Sequence, residues 1–152
     1  MEDVYVKERE RSRVPDKYKW DLTDIFPSDD AWTEAKQKLI AGFPTLSAFQ
    51  GKLSESPAKL LECIEMASLL RKECARLACY ASMKSDLDTR DAKYLAMDQE
   101  MGQIASDLSA LDSFIDPEIL RTGEETMAQF LRRQMLSPGR SPVPSPFLRR
   151  SP

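Results

Sequence analysis

One apolar stripe in the middle of the chain limits the fold more than any other feature. It follows Ser56-Pro57, an N-cap residue and then a proline at the first helical position, where the missing proline N–H breaks no hydrogen bond. Apolar side chains then recur at three- and four-residue steps: Leu60, Leu61, Ile64, Ala67, Leu70, Cys74, Leu77, Ala78 and Ala81. This spacing predicts a helix over 57–84 that buries one long face.

A second stripe follows after a short polar turn. The turn, residues 86–91, offers several side chains that can cap a helix. From Ala92 the helical spacing returns, and its apolar residues are Leu95, Met101, Ile104, Ala105, Leu108, Leu111 and Ile115. Two long helices joined by a short turn are typical of an antiparallel hairpin. Since no stretch shows the alternation of a strand, the predicted fold class is all-α, a helical hairpin or bundle.

Large apolar residues are concentrated just before this hairpin, in a segment that we call the clasp (residues 20–27). They are Trp20, Leu22, Ile25 and Phe26. Pro27 disfavours a helical backbone at the residue before it, so the clasp is expected to dock in an extended or turned form onto the helices. Ser28 is placed as an N-cap, with Asp29 and Asp30 in the first turn, which predicts a helix start at about Asp29.

The remaining helix boundaries follow from glycine, proline and capping residues. The stripe of the first helix consists of Trp32, Ala35, Leu39, Phe43 and Leu46. Gly42 and Pro44 predict a kink or break within it. Asp116-Pro117 predicts another helix start, and Thr122 with Glu125 fits a capping box that opens a last short helix.

Composition divides the chain into three parts. Residues 1–18 mix charges of both signs and are expected to form a flexible N-terminal arm. Residues 19–136 make up the helical domain. Residues 137–152 contain five prolines in sixteen positions and no Asp, Glu or Lys, so we expect a disordered Pro/Ser/Arg-rich tail.

The cysteines and the apolar runs indicate a cytoplasmic chain. Cys63, Cys74 and Cys79 fall in one predicted helix, which suits reduced thiols that pack as small hydrophobic residues. The N-terminus lacks the apolar core of a signal peptide, and no run approaches the roughly 20 apolar residues that span a bilayer. The arginines of the tail can attract phosphate, but Phe147 is the only aromatic residue among them, so they do not predict nucleic-acid binding, and no membrane partner is expected.

The absence of histidine is the strongest constraint on chemistry, since the chain contains none. It excludes an H-E-x-x-H zinc motif, and also a serine or cysteine nucleophile with an imidazole base. Three acidic pairs could act as acid and base or bind a hard cation, but each is interpreted as helix capping: Asp29/Asp30, Asp86/Asp88 and Glu124/Glu125. We therefore assign no catalytic, cofactor-binding or metal-binding residue.

Several segments resemble the N-terminal region of oligoendopeptidase F, a family of thimet-oligopeptidase-like zinc peptidases. The similar segments are 17–32 (KYKWDLTDIFPSDDAW), preceded by RVP at 13–15, then 49–53 (FQGKL), 80–91 (YASMKSDLDTRD) and 113–120 (SFIDPEIL). They occur in the family's order and extend the resemblance over residues 12–131.

The resemblance implies a cytoplasmic metallopeptidase that cuts short peptides inside a closed, mostly helical shell. In that family zinc is held by two histidines of H-E-x-x-H and a further glutamate, and the N-terminal helices form part of the wall of the substrate channel. The zinc motif lies downstream, so none of its residues maps onto this chain. The chain is therefore expected to bind no zinc and to be inactive alone, its partner being the missing catalytic domain.

The tail departs from the family pattern after Met135, where the family continues with a helical, acid-rich run. A frameshift or premature stop is the leading explanation, and it predicts that the downstream nucleotide sequence encodes H-E-x-x-H in another frame. Two alternatives remain open. The chain is a small helical adaptor that binds a peptide or partner helix along its apolar faces, or it is one half of an enzyme whose catalytic half is encoded separately.

Overall fold

The computed structural model describes residues 15–135, and within them all regular structure is helical. Two short 3-10 turns, Asp16–Tyr18 and Leu22–Asp24, precede six helices. The helices are α1 (Asp29–Ala41), α2 (Phe43–Ser47), α3 (Pro57–Leu87), α4 (Ala92–Asp112), α5 (Ile115–Thr122) and α6 (Glu124–Met135). The predicted all-α class is confirmed. Most of the predicted arm and all of the predicted tail lie outside the described residues.

An antiparallel hairpin of α3 and α4 is the centre of the fold. Arg71 in α3 pairs with Asp112 at the end of α4. Near the turn, Lys84 of α3 and Lys93 of α4 both pair with the carboxylate of Asp29 in α1. The predicted N-cap of α3 is confirmed, because the Ser56 hydroxyl accepts a hydrogen bond from the Lys59 N–H at 3.2 Å.

Helices α1 and α2 cover one face of this hairpin. Trp32, Leu39 and Leu46 are buried there, and the Trp32 indole N–H donates to the Leu77 carbonyl at 3.0 Å. The predicted break between α1 and α2 falls at Gly42. A Cβ at Gly42 would lie 2.8 Å from Leu70 Cδ2, so glycine permits the close approach of this corner to α3.

The buried seam of the hairpin is narrower than the predicted stripes. On α3 and α4 it repeats strictly at three- and four-residue steps, through Cys63, Ala67, Leu70, Cys74, Leu77 and Ala81 and through Met97, Met101, Ile104 and Leu108. Ile64, Leu95 and Ala105 were predicted in the stripes but are exposed, Ile64 at 39% and Leu95 at 44%. Each lies beside the seam and not on it, which is why those three assignments were wrong.

The clasp docks onto α3 as a turn. Leu22 and Phe26 are buried, and the Phe26 ring meets Tyr80 edge to face with centroids 5.4 Å apart. The Arg76 guanidinium lies 4.2 Å over the same ring and donates to the Ile25 carbonyl at 3.3 Å. Trp20 was expected to dock with them but is 58% exposed, because it precedes the turn that directs Leu22 and Phe26 inward.

Two predicted helix starts near the end were wrong. Helix α5 begins at Ile115, directly after a helical Phe114 that makes no side-chain cap, so Asp116 lies within its first turn. Thr122 is the last residue of α5, and its hydroxyl donates to the Glu118 carbonyl at 2.9 Å. The boundary between α5 and α6 is Gly123, whose φ of +80° is a conformation that favours glycine.

Candidate functional site

A concave region, which we call the clasp groove, lies between the clasp and the end of α3. It has a volume of about 460 Å³. Its lining consists of Trp20, Asp21, Leu22, Thr23, Phe26, Pro27, Ser28, Asp29, Tyr80, Lys84 and Leu87. The Asp21 carboxylate at its edge accepts hydrogen bonds from the N–H and the hydroxyl of Thr23, at 3.0 and 2.6 Å, and so fixes the turn of the clasp.

Asp29 is the centre of a polar cluster at the base of this groove. Its carboxylate accepts hydrogen bonds from the Tyr80 hydroxyl at 2.8 Å, from the Tyr94 hydroxyl at 3.3 Å and from the Lys93 ammonium. The Lys84 ammonium lies 3.7 Å from the same carboxylate. One side chain of α1 is therefore joined to both helices of the hairpin.

The protonation states of this cluster follow from its contacts. Partial burial raises the pKa of the Asp29 carboxyl, but the hydrogen bonds from Lys93 and Tyr80 and the charges of Lys84 and Lys93 outweigh it and hold this pKa below its ordinary value of 3.8. Burial, and then the hydrogen bond to Asp29, raise the pKa of Tyr80. The hydrogen bond to Asp29 also raises the pKa of Lys93. At neutral pH the Asp29 carboxylate is therefore charged and faces a neutral Tyr80 phenol and a charged Lys93 ammonium.

This arrangement is suited to holding helices together. A general base needs a free lone pair that faces the substrate proton. The Asp29 carboxylate already accepts hydrogen bonds from side chains of its own fold, so it is poorly suited to that role. Tyr80 and Lys84 fall in the segment that resembles oligoendopeptidase F, but the convergence of α1, α3 and α4 on Asp29 has no local sequence signal. From its position in the sequence Asp29 was assigned to capping, and its four partners were not predicted.

The other two acidic pairs are far less organised than Asp29. Asp86 and Asp88 were assigned to a helix start, but Asp86 lies in the last turn of α3 and Asp88 is its C-cap, so that assignment was wrong. The Asp88 carboxylate binds the Arg90 guanidinium through two bonds of 2.9 Å, and this hydrogen bonding lowers the pKa of Asp88 to about 2. Glu124 and Glu125 lie in the first turn of α6, as predicted.

The cysteines divide into two groups. Cys63 and Cys74 are buried, as predicted, whereas Cys79 is exposed, which contradicts its predicted burial. Burial, together with the negative charges of Glu118 and Asp112, raises the pKa of the Cys63 thiol to about 11. Cys79 lies two positions after Leu77 and two before Ala81, which both belong to the seam, so helical geometry turns it to the opposite side of α3 and to solvent.

The donor set does not fit the zinc that the resemblance implies. The chain has no histidine, and within residues 15–135 no group of three or more Cys, Asp or Glu side chains is close enough to hold a metal ion. Nor does any helix of that part have the length and apolar character needed to cross a membrane.

A second concave region, which we call the α3–α4 groove, lies on the hairpin. It has a volume of about 330 Å³. Its lining consists of Arg71, Cys74, Ala75, Ala78, Ala105, Leu108, Ser109 and Asp112. Arg71 Nε lies 2.6 Å from Asp112 Oδ2 at one end, and the hydrogen bond and charge of Asp112 raise the pKa of Arg71 despite some desolvation. Small side chains make up most of the rest.

Several curated peptidases are similar to this chain over most of its length. Oligopeptidase PepF of Bacillus subtilis (strain 168) is 34% identical over 122 residues, which are 80% of this chain and 18% of that protein. Group B oligopeptidase PepB of Streptococcus agalactiae is 34% identical over 121 residues, or 80% of this chain and 20% of that protein. The plasmid oligoendopeptidase F of Lactococcus lactis is 28% identical over 124 residues, which are 81% of this chain and 21% of that protein.

The chain therefore spans about a fifth of the length of the curated relatives it matches. No protein-family model and no solved structure matches it. The resemblance identified from the sequence is confirmed, and this chain is a homologue of part of the oligoendopeptidase F proteins over 80% of its own length.

Proposed function

We propose that this chain is the N-terminal helical part of a zinc oligoendopeptidase that hydrolyses short peptides, and that its helices form part of the wall of the substrate channel. The observation that carries this proposal is the similarity to peptidases over about 80% of this chain. The same match covers only 18% to 21% of the length of those peptidases. The relatives' names specify oligopeptidases and oligoendopeptidases, so short peptides are the proposed substrates.

The proposed division of labour assigns all bond-breaking chemistry to the rest of the enzyme. The described residues do not provide a metal site, and their best-organised carboxylate, Asp29, is occupied by Tyr80, Tyr94 and two lysines. In this proposal zinc and the general base belong to a catalytic domain that this chain packs against, in the cytoplasm, and the chain by itself has no peptidase activity.

A hairpin such as α3–α4 is suited to a structural wall. It has a continuous apolar seam on the side of α1 and α2, and polar clusters at both ends restrain its geometry: Asp29 with its partners at the turn, and Arg71 with Asp112 at the other end. A channel wall needs close packing, and the buried seam of the hairpin supports that role.

The test is a chimera of Bacillus subtilis PepF in which the matched 122 residues are replaced by those of this chain. We expect the zinc-loaded chimera to hydrolyse a fluorogenic short peptide, whereas the isolated chain does not. PepF from which the matched segment is deleted is the control and should be inactive.

Two results would contradict the proposal. A chimera with the native content of helix and a cooperative unfolding transition, but without peptidase activity, would mean that this chain cannot replace the PepF segment. Peptide hydrolysis by the isolated chain would mean that it carries its own catalytic site. Tight binding of peptides by the isolated chain, in the absence of activity in the chimera, would favour the adaptor function instead.

A further inference from the structure

We propose that the α3–α4 groove is the docking site for an α-helix from the remaining four fifths of an oligoendopeptidase F polypeptide. The inference rests on the proposed function and adds the surface through which this chain meets its partner. It concerns the face of the hairpin that α1 and α2 leave uncovered within the described part of the chain.

The shape of the groove permits a close approach of a third helix. Its walls are small side chains one turn apart, Ala75 with Ala78 on α3 and Ala105 with Ser109 on α4. Because these side chains are short, they leave a depression between α3 and α4, and a ridge of side chains from another helix can pack into it. Leu108, which is 3% exposed, forms part of an apolar floor.

The two faces of the hairpin differ in how far they are covered. On one face, Trp32 of α1 hydrogen-bonds to Leu77, and Leu39 and Leu46 are fully buried. On the other face, Ala75 and Ala105 are exposed although they border the buried seam. On this face the apolar floor of the groove and its small side chains are open to solvent. Such a surface indicates that a further element packs against it.

The chemistry of the groove favours a helix over an extended peptide. An extended segment brings unpaired N–H and C=O groups, which need partners when they are buried. The alanines, Leu108 and Cys74 offer no strong hydrogen bonds, and Arg71 is paired with Asp112 at 2.6 Å. The Ser109 hydroxyl is too little to satisfy the several backbone groups of a buried extended segment. A helix satisfies its own backbone and needs only apolar contact along such a surface.

The length of the relatives points to the source of this helix. They extend over about five times the length that matches this chain, so about four fifths of their polypeptide lies outside the homologous segment and can supply the helix. The clasp groove is a poorer candidate for that contact, because Asp21, Asp29 and Lys84 line it and burial would desolvate their charges.

The experiment measures the accessibility of one position at the centre of the groove. Ala105→Cys is made in a Cys79→Ser background, which leaves only the buried Cys63 and Cys74 as other thiols. The rate of maleimide modification is compared between the isolated chain and the PepF chimera. We expect modification of Ala105→Cys to be slower in the chimera by about tenfold or more, since a covered thiol reacts only after local opening.

The matched control is Gln37→Cys, an exposed position on α1, which should react at similar rates in both proteins. Equal rates for Ala105→Cys in the two proteins would overturn the proposal. So would protection in the isolated chain that rises with its concentration, which would mean that a second copy covers the groove. Protection only after addition of a short peptide would overturn it as well and identify the groove as a peptide site.

This test separates the inference from the proposed function. A chimera that hydrolyses peptides while Ala105→Cys reacts freely would retain the proposed function and exclude this docking surface. If the chimera does not fold, the same labelling is done on intact Bacillus subtilis PepF, with cysteine at its residue aligned with Ala105. Rapid labelling there would overturn the inference, and protection there would support it.

Discussion

Asp29 joins three helices through a single carboxylate. It belongs to the first turn of α1, where a negative charge also interacts favourably with the helix dipole. Tyr80 approaches it from α3, and Tyr94 and Lys93 approach it from α4. Hydrogen bonds to a charged acceptor are stronger than neutral ones, so this contact contributes more to the attachment of α1 than the capping by Ser28 alone.

We predict that Asp29→Asn lowers the free energy of unfolding at pH 7 by about 1–3 kcal/mol, because the Tyr80, Tyr94 and lysine contacts lose their charged acceptor. The folded-state pKa of Asp29 lies below 3.8, so its contribution is complete above that value and is lost as the pH falls through the folded pKa. The difference between the two proteins in urea denaturation should therefore shrink below pH 3.8.

The control for this prediction is Asp30→Asn, which removes a charge from the same helix turn at an exposed position. It should cost no more than the helix-dipole contribution of about 0.3–1 kcal/mol. Equal losses for the two variants at pH 7 would mean that the contacts of Asp29 with α3 and α4 do not stabilise the fold.

At the scale of the elements, the sequence predicted those boundaries that local chemistry determines. Ser28 and Ser56 cap their helices because a hydroxyl three residues before a free N–H is a local contact. The predicted start of α5 was wrong because this helix has no side-chain cap that the sequence could show. Phe114, before its first residue, already has a helical backbone. The clasp groove and the α3–α4 groove were not predictable, since both depend on how distant helices pack.

The boundary between α5 and α6 gives a prediction that distinguishes the two assignments of Thr122. Gly123 has φ +80° and ψ 151°, so Gly123→Ala should lower the free energy of unfolding by about 1–3 kcal/mol through backbone strain. Thr122→Ala should have a much smaller effect, because its hydroxyl bonds only within α5. Urea denaturation and hydrogen exchange of the α6 amides measure both effects.

If Thr122 were the N-cap that the capping box predicts, its replacement would instead cost about 1 kcal/mol and raise the exchange rates in α6. A larger effect for Thr122→Ala than for Gly123→Ala would therefore contradict the boundary at Gly123.

At the scale of the whole molecule, the described chain has one well-packed face and several uncovered apolar positions. Leu120 on α5 is 80% exposed and Leu131 on α6 is 62% exposed, and the α3–α4 groove is open as well. Scattered exposed leucines are normal in a monomer, but together with the groove they are consistent with helices that pack against further protein in the proposed enzyme.

We predict that the isolated chain binds a fluorescent hydrophobic dye and that the double variant Leu120→Gln, Leu131→Gln binds less of it. Because both side chains are exposed, the free energy of unfolding should change by less than about 0.5 kcal/mol. The control is Arg121→Gln with Glu125→Gln, which alters exposed polar neighbours on the same helices and should leave the dye fluorescence unchanged. Dye binding that is absent, or equal in the two double variants, would mean that α5 and α6 present no apolar surface to a partner.

Fluorescence that remains in the leucine variant is expected to come from the α3–α4 groove, and an added Ala105→Glu should then remove it.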